Sequence, residues 1–210
     1  MANEKTKVTA YLLNNLNFTP QNLNLVDIYV KKLMEYNQRY NLISKSDEKS
    51  IWHRHVLDSA QLVKFIDFSD NNSLVDLGSG SGLPGMIIGI FNPNPLFHVK
   101  LYEKSPVKCE FLQKISSIVN KNIEIHQKDI LEENIISDYA VARAFKKMTK
   151  IIEISREKNK NFKKIIILKG KSAQEEINSA LKTNTFRYKL EASITDKQSK
   201  IVIVDTNKID

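Results

Sequence analysis

Residues 21–42 read QNLNLVDIYVKKLMEYNQRYNL and place apolar side chains at Leu23, Val26, Val30, Leu33 and Tyr40. The spacings are three, four, three and seven, which is one stripe of an amphipathic helix. Thr19 and Pro20 supply a start signal. A second helix is predicted from Asp47 to Phe68, with Ile51, His55, Leu62 and Ile66 along one side. Asp70, Asn71, Asn72 and Ser73 then form a turn cluster.

Beyond residue 73 the pattern changes. Strand-length apolar runs are expected at 74–78, 97–103, 122–127, 139–144, 164–169, 186–194 and 200–205. Helical patterns lie between most of them, from Leu83 and over 106–119, 147–157 and 172–182. Strand–helix alternation predicts a mostly parallel sheet with helices on both faces. The last two runs follow each other without a helix and read as an antiparallel hairpin at one sheet edge. No internal repeat or low-complexity tract interrupts the chain.

The turn after the first predicted strand changes the picture most. LVDLGSGSGLPG holds four of the chain's six glycines, Gly78, Gly80, Gly82 and Gly85. The first βα turn of a doubly wound sheet is a nucleotide site: glycine lets the backbone approach a ligand and the next helix presents free N–H groups. Pro84 suits that helix's first turn. Gly80-Ser-Gly82-Leu-Pro-Gly85 matches G-x-G-x-x-G, a dinucleotide spacing. Asp76-Leu-Gly78-Ser-Gly80-Ser-Gly82 matches acid-x-G-x-G-x-G, the pattern for S-adenosylmethionine (AdoMet). The acid separates them: a carboxylate repels an incoming pyrophosphate but favours the methionine ammonium. Glu103, ending FHVKLYE, is placed to accept from both ribose hydroxyls. Asp129 is placed at the tip of the third strand to take the adenine amine, with Ile130 covering the ring. The antiparallel last pair also favours a methyltransferase sheet over a dehydrogenase one.

Charge adds a partner. The chain of 210 residues carries a net +8, 41% hydrophobic residues and 27% charged ones. Residues 143–171 alone hold eleven Lys or Arg against Glu153 and Glu157, so the excess is local. That band predicts a polyanion. Arg143, Lys146, Lys147 and Lys169, near the carboxyl edge of the sheet, and Arg54 from the helical part are the candidate polyanion contacts. Lys158, Lys160, Lys163 and Lys164 precede the fifth strand and read as a solvated face on the opposite edge. The single cysteine, Cys109, sits in a helical pattern as a small core residue, so no disulfide framework is expected. Without an apolar leader or a membrane-length run, a cytoplasmic protein is expected. In RHVLDS, Arg54 and Asp58 are placed to pair as i, i+4 neighbours. His55 reads as a packing residue that anchors the N-terminal helices over the cleft. In YNLIS, Tyr40 packs and Asn41 caps or turns. The histidines show no metal-ligand spacing, so no metal is expected.

YNLIS (40–44), RHVLDS (54–59), DLGSGSGLPG (76–85), the acid at 103 followed by K-x-x-F-L (108–112), ARAF (142–145) and LKG (168–170) together resemble the bacterial 16S rRNA guanine-N7 methyltransferase family RsmG, also called GidB. The resemblance spans about residues 22–205. It implies an α/β class I methyltransferase fold, Rossmann-like, with a seven-stranded mostly parallel sheet and one antiparallel strand. Residues 1–72 would be an N-terminal helical extension and 73–210 the AdoMet-binding domain. It implies AdoMet-dependent methylation of N7 of one guanine in the 530 loop of 16S rRNA, by an enzyme usually monomeric, acting on RNA or the small subunit. Carried over by position, Gly78, Leu83, Asp129, Ile130 and Arg143 border AdoMet, beside Asp76, Gly80, Gly82 and Glu103. The family commonly shows R-x-E where this chain has Lys128, Asp129 and Ile130. Guanine N7 has a free lone pair and no proton to lose, so no catalytic base is expected. An NAD-dependent oxidoreductase, a small-molecule methyltransferase and a non-catalytic RNA-binding module are the alternatives.

Overall fold

The structure, a computed structural model, describes residues 2–69, 72–119, 121–158 and 162–206. Asp70 and Asn71 of the expected turn cluster, Lys160, and the side chain of Lys158 lie outside that part. Helices α1 (Ala2–Leu16) and α2 (Pro20–Tyr40) open the chain. Thr19 caps α2: its hydroxyl accepts the Asn22 N–H, and Asn22 returns the bond to the Thr19 N–H, a reciprocal capping box. Asn41 ends α2 in the left-handed region, as a C-cap. The buried stripe is Val26, Tyr29, Val30 and Leu33, with Asn37 below. Tyr40, expected to pack, is 47% exposed, its ring only leaning on Tyr36 one turn back, 5.9 Å away.

The single helix expected over 47–68 is instead four short pieces: α3 (Lys45–Glu48), a π-helical turn (Trp52–Leu57), α4 (Asp58–Ala60) and a 3-10 turn (Gln61–Phe65). Nearly every side chain from Ile51 to Val63 is buried. A regular helix buries one stripe; changing the winding turns successive faces inward, and such π segments concentrate at functional sites.

Strands β1 (Ser73–Leu77), β2 (His98–Glu103), β3 (Ile123–Gln127), β4 (Tyr139–Arg143), β5 (Lys164–Lys169), β6 (Arg187–Ala192) and β7 (Lys200–Asp205) form one sheet in the order β3-β2-β1-β4-β5-β7-β6. β1 to β5 pair in parallel; β7 is antiparallel to β5 and to β6. Helices α5 (Gly85–Phe91), α6 (Pro106–Val119), α7 (Met148–Lys158) and α8 (Ala173–Ala180) connect them. α5 starts at Gly85, two residues later than the pattern suggests, and Pro84 is its N-cap.

Alternation along the strands divides the core into two. Leu74, Tyr139, Val141 and Ile166 face α1, α2, α5, α6 and the 51–66 segment in one continuous apolar cluster. Val75, Leu77, Ala140, Ala142, Ile165 and Ile167 face α7 and α8 in another, as a period of two demands. Cys109 is fully buried in α6. Among the described residues, no helix is long and apolar enough to cross a membrane, and no cluster of His, Cys, Asp and Glu could hold a metal.

Candidate active site

Sheet order reverses between β1 and β4, the switch point at which doubly wound folds bind ligands. The glycine turn leaves β1 there. Gly78 takes φ +70°, and a Cβ on it would lie 2.3 Å from the Phe145 ring. The turn is tied from below. Ser79 N–H donates to the Tyr102 carbonyl at 2.8 Å. The two oxygens of Glu103 accept the N–H groups of Gly80 at 2.9 Å and Ser105 at 2.8 Å. The Tyr29 hydroxyl of α2 donates to the Ser81 carbonyl at 2.9 Å. Tyr29 is a site residue that the stripe count passed over, although it lies three positions after Val26 on the same helix face.

Asp76 is 1% exposed and lies beneath the turn. Its Oδ2 accepts the Gly85 N–H at 2.8 Å, while its buried Oδ1 has no hydrogen-bond partner. A Cβ on Gly85 would lie 2.7 Å from Asp76 Oδ2, so this close approach requires glycine. Burial pushes the Asp76 carboxyl up to about 7, against the pull of the Gly85 N–H, Ser79 and Arg143. Asp76 thus supports the turn from beneath.

Two clefts open along this edge. The smaller, of about 230 Å³, is lined by Gly78, Tyr102, Glu103, Lys104, Lys128, Asp129, Ile130, Ala144, Phe145 and Lys146. Asp129 stands at its rim, accepting the Leu131 N–H at 3.1 Å, with Lys104 3.7 Å away; Ile130 is buried behind it. Gly80, Gly82 and Leu83 shape the turn without lining this cleft. The larger, of about 660 Å³, is lined by Ser50, His53, Arg54, Asp58, Arg143, Ala144, Leu168, Lys169, Gly170, Glu176, Thr195, Asp196 and Ser199. Ala144 lines both and holds φ +49°. A non-glycine residue in that region is strained, and such strain concentrates at functional sites. The effect here is directional: Arg143 lines the larger cleft and Phe145 the smaller.

The structure gathers Arg54, Arg143 and Lys169 into the larger cleft, puts Lys146 in the smaller, and leaves Lys147 exposed on neither. Arg143 Nη2 bonds His55 Nδ1. Burial first, and then the Arg143 charge, bring His55 down to about 4, so the imidazole is neutral and accepts. His55 thereby joins the π-helical turn to the tip of β4. Burial works against the charge of Arg143, and Asp58 is the foremost group supporting it. The expected Arg54–Asp58 pair does not form. Arg54 binds Asp47 at 3.1 Å, because the π winding carries Asp58 toward the β6–β7 turn, where Thr195 donates to it at 2.8 Å. Lys169 donates to Glu176 at 2.7 Å and to the Lys146 carbonyl at 2.8 Å. Lys163 and Lys164 lie at the far ends of the strands, on Asp138 and the Phe65 carbonyl.

A parallel sheet with β7 antiparallel, a glycine turn at the β1/β4 reversal and an acid at the tip of β2 define the class I methyltransferase fold. A SAM-dependent methyltransferase from Aquifex aeolicus superposes with a TM-score of 0.55 at 13% identity, covering 79% of this chain and 95% of that one. The model of the family "rRNA small subunit methyltransferase G" (GidB) matches residues 22–204. A ribosomal RNA small subunit methyltransferase G of Pelagibacter ubique is 36% identical over 193 residues, 90% of each chain. Its counterpart from Rickettsia bellii is 35% identical over 185 residues, 88% of this chain and 94% of that one. The chain belongs to the rRNA small subunit methyltransferase G family, whose cofactor is AdoMet.

Proposed function

We propose that the protein methylates N7 of one guanine in the 530 loop of 16S rRNA, with AdoMet in the smaller cleft and the target nucleotide in the larger. The observation that carries this is the shared wall: the clefts meet at Ala144, so ligands in each face one another across one residue. The smaller cleft fits a nucleoside. Each Glu103 oxygen holds one backbone N–H and retains a lone pair for a ribose hydroxyl. Asp129 and Ile130 offer an acceptor and an apolar cover for the adenine. The orphaned buried oxygen of Asp76 leaves an acceptor under the turn for the methionine ammonium, whose charge would favour the ionised carboxylate.

Bound AdoMet supplies an electrophilic sulfonium methyl. The residues here align it; none has a proton to remove, because guanine N7 carries none. Alignment is the main source of rate in such a displacement, and an error of about 1 Å costs on the order of a hundredfold. Arg54, Arg143 and Lys169 stand in the larger cleft beside Asp58, Glu176 and Asp196; the three cations fit phosphate, which also makes binding salt-dependent. We read the enzyme as a monomer in which residues 1–72 extend the 73–210 domain. The test is to incubate small-subunit RNA with the protein and AdoMet and to map 7-methylguanine by chemical cleavage. A single modified guanine in the 530 loop is expected; methyl transfer elsewhere, or none with AdoMet bound, refutes the reading.

A further inference from the structure

The hairpin β6–β7 brings a turn to the site that the motifs do not announce. β7 runs antiparallel, pairing Lys200 with Lys169 and with Ala192. Residues 193–199 therefore emerge at the same edge as the ends of the parallel strands. This turn is fastened to the helical region. Gln61, 2% exposed, donates to Ser193 at 3.0 Å and accepts the Ile194 N–H at 3.0 Å. Asp58 accepts the Thr195 hydroxyl at 2.8 Å and the Gln61 amide at 2.9 Å. A wall of the larger cleft is thus fixed in place, and Asp196 stands on it.

We propose that Asp196 reads the Watson–Crick edge of the target guanine. This rests on the guanine-N7 reading above. That edge offers two adjacent donors, N1–H and the 2-amino group, and only an acceptor can take them. The cations that line the cleft have none to give; its carboxylates do. Among the carboxylates lining the cleft, Glu176 is occupied by Lys169, the Met148 N–H and Ser172. Asp58 Oδ1 already takes Gln61, Thr195 and Ser193. Asp196 holds one donor per oxygen, the Gln198 N–H at 2.8 Å and the Ser199 hydroxyl at 3.4 Å. These bonds preset its rotamer and leave a lone pair on each oxygen. The same contact assists the reaction. As N7 gains the methyl, positive charge spreads over the ring, and an acceptor on N1–H stabilises it in place. Adenine presents an acceptor at N1 and is repelled.

The experiment compares wild type, Asp196→Asn and Asp196→Ala on a small-subunit RNA fragment carrying guanosine or inosine at the mapped position. Inosine keeps N7, O6 and N1–H but lacks the 2-amino group. Wild type is expected to lose about ten- to a hundredfold in kcat/KM on inosine, as for one hydrogen bond to a charged group. Asp196→Ala should methylate both RNAs at similar, reduced rates. Asp196→Asn keeps an Oδ1 acceptor for Gln198, so the turn persists, yet it should lose the guanosine preference too. Unchanged melting temperatures show that the turn is intact. A variant that keeps the wild-type preference for guanosine overturns the proposal while leaving the N7 reading standing. Wild type that transfers no methyl to RNA overturns both, and the two failures are distinct.

Discussion

Replacing Asp76 by asparagine tests the energetics of the glycine turn directly. The side chain is buried, one oxygen holds the Gly85 N–H and the other has no partner. Its carboxyl stands at about 7 against an ordinary 3.8, with burial the main cause. The folded state therefore keeps a proton that the unfolded chain releases between those values. This group's favourable contribution is complete below about pH 4, falls as pH rises through the interval and levels off above about pH 7. Full ionisation in the folded state costs about 4 kcal/mol, at about 1.4 kcal/mol per tenfold. The carboxamide of Asp76→Asn keeps the shape, can accept from Gly85 and never charges. Between pH 5 and pH 8 the stability of Asp76→Asn relative to wild type should rise by about 2.5 kcal/mol. That corresponds to about 5–10 °C in melting temperature for a chain of this size. The assay is thermal or urea unfolding of both proteins, free of AdoMet, at each pH; titration of all other groups cancels in the difference. A difference that stays flat from pH 5 to pH 8 refutes the reasoning, since Asp76 would then not gain its charge in that range. AdoMet affinity, measured by calorimetry at pH 8, should fall in the same variant.

Tyr29→Phe leaves the buried Ser81 carbonyl without its donor and should cost about 1–3 kcal/mol, read by urea unfolding, with weaker AdoMet binding because the turn loosens. Gly78→Ala places a methyl 2.3 Å from the Phe145 ring at φ +70°; strain of about 1–2 kcal/mol and displacement of Phe145 should lower AdoMet affinity, checked by calorimetry. Gln61→Ala unfastens the β6–β7 turn and strands the Ile194 N–H, so small-subunit RNA should be methylated with a higher KM while AdoMet affinity is kept. Binding of small-subunit RNA should weaken steeply with salt, and Arg54→Ala should flatten the slope of log K against log salt by about one contact; a filter-binding series checks it.

Much of this protein was legible in its residues. Short apolar runs and period-3.6 stripes place the seven strands within a residue or two, because a sheet buried on both faces and helices buried on one leave those signatures in local order. The acid and glycines from Asp76 to Gly85 announce the turn, since only small residues permit positive φ and close approach. What local order does not encode is which side chains meet across the chain. Tertiary packing decided that Asp76 and Glu103 hold the turn itself, Asp76 by accepting the Gly85 N–H and Glu103 by accepting that of Gly80. It decided that 51–65 winds as π and 3-10 segments, since α5 on one side and α1 on the other bury nearly every face. It also decided that Asp58 leaves Arg54 for Thr195, a partner 137 residues away. The second wall of the larger cleft exists only because β7 runs antiparallel and returns its turn to the edge where the parallel strands end. The residues announce the hairpin, but which edge its turn reaches is a property of the sheet's order, and no window along the sequence contains it.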